Sequence, residues 1–231
     1  MAKIRFDIIT IFPKIFDSYF SESIIKRAVE KKKTEIKIWN LRDFTRDKHK
    51  KVDDRPFGGG AGMVLQAEPI LRTVSSLKKK SVGLRTKIIL FSAKGKQFNQ
   101  KIAYDWSEKY NRFILISGRY EGIDERVKKI LRAEEISIGP YIMTDGDIGA
   151  MVFVSALVRL IPGVLKEESL AEESFGPKLK TKNYQLKTDL EYPHYTRPEV
   201  LKWHGRKYKV PPVLLSGDHK KIALWRDAHR R

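Results

Sequence analysis

The chain has 231 residues, 41% hydrophobic and 32% charged, with a formal net charge of +19 from 47 Lys+Arg against 28 Asp+Glu. That length suits one or two domains, and the positive excess, self-repelling in a compact state, points to a polyanionic partner, nucleic acid first. The absence of cysteine excludes a disulfide framework, a thiolate metal site and a Cys nucleophile, and suits a reducing compartment.

Lys3–Phe12 (KIRFDIITIF) is β-branched and aromatic and predicts a strand ended by Pro13. Asp7 and Pro13 also break this run too early for a signal peptide. No apolar stretch nears the ~18 residues of a membrane span, so a cytoplasmic protein without a membrane segment is expected. Apolar residues from Ile15 to Val29 follow one helix face, and Glu35–Asn40 alternates as a half-buried strand. Leu41–Met63 reads as a long, glycine-rich loop, and Glu68–Leu77 as a helix. Strands are then expected at Lys87–Ser92, Arg112–Ser117 and Glu135–Ile138. Helices are expected at Phe98–Tyr110, at Gly122–Leu131 and from Asp145 to Ile161, the last capped by Thr144. This alternation predicts an α/β fold, a parallel sheet with helices on both faces, over residues 1–165. Residues 166–190 read as a basic linker carrying Lys178, Lys180, Lys182 and Lys187. Residues 191–231 read as a small, basic, aromatic and mostly helical domain.

Four clusters hold the chemistry-bearing residue types. Asp53–Met63 (DDRPFGGGAGM) frees backbone amides for close approach to a ligand, but it is neither a P-loop nor a dinucleotide fingerprint. Phe91–Lys96, Ser117–Arg126 and Ser137–Asp147 each follow a strand, and the carboxyl edge of an open α/β sheet is where ligands bind. Glu121, Asp124, Glu125 and Arg126 serve equally as surface ion pairs, worth under about 1 kcal/mol. The five histidines show no metal-ligand spacing, and no metal site is expected.

Together with Arg159–Leu165 (RLIPGVL), Tyr192–Val200 (YPHYTRPEV) and Pro212–His219 (PVLLSGDH), these clusters closely resemble, in order and from Phe6 to Arg226, the bacterial tRNA (guanine-N1)-methyltransferases of the TrmD family. The resemblance implies a deep trefoil knot of the SPOUT type. It also implies an S-adenosylmethionine site on the three knot loops: Phe91, Ser92, Ala93 and Gly95; Gly118, Tyr120 and Glu121; Ile138, Gly139, Pro140, Tyr141, Ile142 and Met143. It further implies a homodimer with shared active sites, a requirement for Mg²⁺, and a tRNA substrate contacted by Asp54, Arg55, Gly62 and Arg197. The target would be N1 of the guanosine 3′-adjacent to the anticodon, when preceded by guanosine.

In that reading Arg159 takes the family role of partner to guanine O6, and a carboxylate removes the N1 proton. The family carries Asp there; this chain reads Glu172-Glu173-Ser174-Phe175, so Glu173 is the expected base. Basicity changes little, from about 3.9 to about 4.3, but the added methylene extends reach by roughly 1.5 Å. A catalytically impaired tRNA-binding relative is the alternative this change raises. Pro140, Thr144, Asp145 and Asp147 likewise stand where the family commonly has Asp, Ser, Gly and Glu.

Overall fold

The computed structural model describes residues 3–79, 83–166, 169–170, 173–175 and 191–230. Strand β1 (Ile4–Thr10) sends Ile4, Phe6 and Ile8 into one apolar layer and Ile9 into another. Five parallel strands share this arrangement in the order β2-β1-β6-β5-β7, with β2 at Thr34–Asn40, β5 at Thr86–Gln97, β6 at Arg112–Ile116 and β7 at Glu134–Ser137. Helices α2 (Ser23–Glu30), α4 (Gln100–Lys109) and α6 (Asp147–Val158) supply Ile25, Ala103 and Phe153 to the first layer; α3 (Ala67–Lys79) and α5 (Glu125–Leu131) supply Val74 and Val127 to the second. Covered on both faces, the central strands become continuous apolar runs, and all of β6 is buried. The α/β class and parallel sheet match the expectation.

Four boundaries differ from the periodicity. The helix expected from Ile15 to Val29 is broken into a 3-10 turn at Pro13–Phe16, α1 (Asp17–Phe20) and α2. Ser23 at the break has φ +54°, a left-handed conformation that a continuous helix excludes. The long loop contains a 3-10 turn at Leu41–Phe44 and a short antiparallel pair, β3 (Asp53–Asp54) with β4 (Val64–Leu65). Strand β5 runs on to Gln97. Helix α6 starts at Asp147 with Gly146 as N-cap and no side-chain cap, so Thr144 does not cap it; its hydroxyl donates to Asp145 Oδ2 (3.0 Å) instead.

The chain divides into two compact units, Met1–Lys166 and Glu167–Arg231. The second holds a hairpin, β8 (Val200–Trp203) and β9 (Arg206–Lys209), which the mostly helical expectation did not include, followed by α7 (Pro212–Leu215) and α8 (His219–Ala228). Asp218 caps α8, its Oδ1 accepting from the amides of Lys220 and Lys221, both at 3.1 Å. The lysines expected to line the linker, and Glu172, lie outside the described residues. Among the described residues no helix is long and apolar enough to cross a membrane.

Candidate functional site

The site begins with a slip in the sheet. Phe91 and Lys96 of β5 both pair with Ile136 of β7, so residues 92–95 are expelled from the ladder as a broad bulge. Gly95 sits where the bulge returns: a Cβ there would lie 2.6 Å from the backbone of Glu135 and Ile136. Only glycine allows that crossing.

Beyond β6, Gly118 accepts from the Gly146 amide (2.8 Å), and Arg119 bridges to Asp145. A Cβ on Gly146 would come within 2.9 Å of the Gly118 amide nitrogen. The loops after β6 and β7 are therefore held backbone to backbone. Arg119 adds an ion pair to Asp145 (3.3 Å), and its guanidinium lies 4.4 Å from the Phe12 ring centroid. Asp145 Oδ1 also accepts from the Asp147 amide (2.9 Å), so Asp145 ties the third loop to the second.

The glycine-rich loop joins through β4. The Leu65 amide donates to Gly122 O and the Asp124 amide to Leu65 O, both at 3.0 Å, while the Glu121 amide donates to Met63 O (3.0 Å). Gly62 consequently faces Glu121 so closely that a Cβ would meet the carboxylate.

A cavity of about 520 Å³ opens between these loops at the carboxyl edge of β5, β6 and β7. Its lining takes Phe91, Ser92 and Ala93 from the bulge, Gly118, Tyr120 and Glu121 from the second loop, and Ile138, Gly139, Tyr141, Ile142 and Met143 from the third. Gly95 and Pro140, expected beside them, are not in the lining; Gly95 serves the crossing and Pro140 is exposed. Asp54 and Arg55 lie exposed on and beside β3.

Several lining residues were not singled out for the site, among them Ile136, Lys128 and Glu135. Glu135 binds Lys128 and lies 3.6 Å from Lys94, which also reaches Glu125 (3.1 Å). Their signal was the β5 bulge, which no periodicity reveals. The lining mixes apolar side chains (Leu90, Ile123, Ile136) with charges of both signs, among them Glu121, Asp124, Lys94 and Lys128, and the volume is that of a small-molecule site. Arg126, beside Asp124, holds that carboxyl below the usual range, so it stays ionised at neutral pH.

Arg159 is the C-cap residue of α6 and is not in the cavity lining. The thirteen steps from Gly146, the N-cap, to Arg159, the C-cap, at about 1.5 Å each put it about 20 Å along the helix. Glu173 and Arg197 belong to the second unit. Beside Glu173, the Ser174 hydroxyl oxygen accepts from the Glu191 amide (3.0 Å), and Glu191 Oε1 accepts from the Ser174 amide (3.3 Å), which clasps the residue 173–175 segment to the start of the small domain. Arg197 precedes a cis proline and is exposed. Among the described residues no three His, Asp or Glu side chains gather to hold a metal ion.

A family profile described as tRNA (guanine-1)-methyltransferase TrmD matches residues 4–231. The chain is 52% identical over 224 residues to the tRNA (guanine-N(1)-)-methyltransferase of Dictyoglomus turgidum, covering 96% of this chain and 83% of the relative. It is 49% identical to that of Clostridioides difficile (96% and 90% covered) and 48% identical to that of Carboxydothermus hydrogenoformans (96% and 81%).

Proposed function

Because the chain belongs to the TrmD family of tRNA (guanine-1)-methyltransferases, we propose that it transfers a methyl group from S-adenosylmethionine to N1 of the guanosine 3′-adjacent to the tRNA anticodon, when that guanosine follows another. The observation that carries this reading is the convergence of three motif loops on one cavity at the sheet edge.

When bound, the donor supplies a methyl group on a cationic sulfur. Glu121 in the lining complements positive charge, and the apolar walls exclude water from it. Guanine N1 carries a proton and is a poor nucleophile until that proton leaves. Glu173 takes it as general base. As N1 is deprotonated, negative charge spreads to O6, where the Arg159 guanidinium donates. Held geometry supplies much of the remaining acceleration. Among the described residues no cluster of carboxylate or imidazole side chains offers Mg²⁺ a ligand set.

The position of Arg159 supports a homodimer. Its backbone stands about 20 Å along α6 from Gly146 and Arg159 is not in the lining of its own cavity, so in this reading the complete site takes Arg159 from a second copy. In this reading residues 1–165 form the donor-binding domain, 166–190 a linker and 191–231 the tRNA-binding domain. The trefoil knot belongs to the same reading and is supported by the tight passage of Gly146 against residues 117 and 118. A tRNA substrate supports a cytoplasmic location. The impaired alternative draws no support from relatives this similar over nearly the whole chain.

Transfer of labelled methyl to two tRNA transcripts tests the proposal, one with guanosine before the target and one with another base. Label should enter the first only, in 1-methylguanosine. Absence of label from both, with folded protein, would overturn it. Glu173→Gln should abolish turnover and leave tRNA affinity intact; full activity in that variant would move the base elsewhere.

A further inference from the structure

The hairpin of β8 and β9 is exposed along its whole length. Its register pairs Leu201 with Tyr208 and Trp203 with Arg206, and sets Lys202 opposite Lys207 and Val200 opposite Lys209. Directly opposed residues share a face. One face therefore carries Leu201, Trp203, Arg206 and Tyr208, and the other carries Lys202, Lys207 and Lys209 beside Val200. Trp203 is 62% exposed, Tyr208 52% and Leu201 50%. No acidic residue lies between Val200 and Lys209. Two strands alone are marginally stable, and burying the Trp203 ring would have strengthened them; its exposure leaves the ring available to a partner.

We propose that this hairpin inserts against the tRNA, with an unpaired base stacked on Trp203 or Tyr208 of one face beside Arg206, and phosphates of a separate backbone segment on Lys202, Lys207 and Lys209 of the other face. The inference rests on tRNA being the substrate and adds the element and the mode of contact. An aromatic face offers stacking to any unpaired base, while a lysine face tracks the backbone. Bases inside an A-form duplex are already stacked and present no free face to an aromatic ring, so the partner is a loop. A second copy of the hairpin is the poorer occupant, because a two-fold contact through the lysine face would set three cations against the same three, and one through the aromatic face would bring the two Arg206 side chains together.

Binding titrations across a salt series decide the matter, using wild type, Trp203→Ala, Trp203→Phe and Lys202→Ala/Lys207→Ala, each against tRNA and against a fully duplex RNA of equal charge. Trp203→Ala should lose about 5- to 150-fold in tRNA affinity, the range expected for one stacked base, with an unchanged salt slope and unchanged duplex binding. Trp203→Phe should recover most of the loss. The double lysine variant should flatten the salt slope on both RNAs, by roughly 0.7 per lost contact to a single-stranded phosphate and roughly 0.9 per lost contact to a duplex phosphate. Unchanged tRNA affinity in Trp203→Ala, while wild type still methylates tRNA, would overturn the hairpin assignment and leave the activity standing. Loss of dimer mass in Trp203→Ala would instead make the hairpin an interface between copies, also overturning it. A wild type that neither binds nor methylates tRNA would remove both. Circular dichroism and thermal melting show that the variants are folded.

Discussion

Asp147 starts α6 with 2% of its surface exposed, and burial pushes its carboxyl above the ordinary carboxylate range. The hydroxyls of Thr10 and Ser117 and the Arg119 cation favour the ion, and Asp145 opposes it; burial outweighs the favourable groups. A raised acid contributes its full stability below the unfolded value, about 3.9, and loses it as pH rises through the folded value. The stability difference between Asp147→Asn and wild type should therefore move in the variant's favour across that window and stay constant above it, as read from urea midpoints at stepped pH. Asp7 and Arg112 pose the opposite case, both side chains wholly buried. Asp7 accepts from Arg112 Nε (2.7 Å), Trp39 Nε1 (2.8 Å) and both ends of Arg5 (2.8 and 2.9 Å), while Arg112 also donates to Leu77 O (3.1 Å). Asp7→Ala leaves Arg112 buried without its carboxylate and should destabilise by about 3–5 kcal/mol; denaturant unfolding measures it. From the sequence, Asp7 reads only as an interruption of an apolar strand. Its partner stands 105 residues away, and no local pattern joins the two.

The elements were legible where burial sets a period. The strands at Lys87, Arg112 and Glu135 came from their β-branched runs, because a doubly covered strand has no alternative composition. The continuation of β5 was hidden, since Ala93-Lys94-Gly95-Lys96 has neither period nor apolar run, and its pairing comes from the partner strand β7. The same holds for the cavity: its loops were legible as motifs after strands, but the slip that aims residues 92–94 into it was not. The hairpin of β8 and β9 escaped because its apolar residues face solvent, leaving no core-directed alternation to find. These gaps make Gly95 the sharpest test at this scale. Gly95→Ala places a Cβ 2.6 Å from β7 backbone, which side-chain motion cannot relieve. The bulge must shift, costing roughly 1–3 kcal/mol as overpacking does, and moving the wall formed by Ser92 and Ala93. Thermal unfolding should fall and S-adenosylmethionine affinity, by calorimetry, should fall with it. A destabilised variant with intact donor affinity would separate the crossing from the cavity.

At the scale of the whole molecule, the charge of +19 accounts for docking to a polyanion but does not select guanine. Phosphate contacts position an RNA without reading it, so selection falls to the few groups that meet the base. In the proposed reading those groups are split. The cavity lies at one end of α6 and Arg159 at the other. If each complete site joins the cavity of one copy to Arg159 of its partner, two separately inactive proteins should rescue each other. Arg159→Ala keeps its cavity and lacks the guanidinium. Gly146→Ala keeps Arg159 but sets a Cβ 2.9 Å from the Gly118 amide nitrogen, displacing the donor loop. Mixed equally and allowed to exchange, about half the dimers become hybrids. Each hybrid has one site with both defects and one with neither, so about a quarter of wild-type activity should return. A chain that completes its own site would give no recovery at any mixing ratio, because every site would then carry one of the two defects. The measured fraction thus distinguishes a shared site from a self-contained one without any further structure.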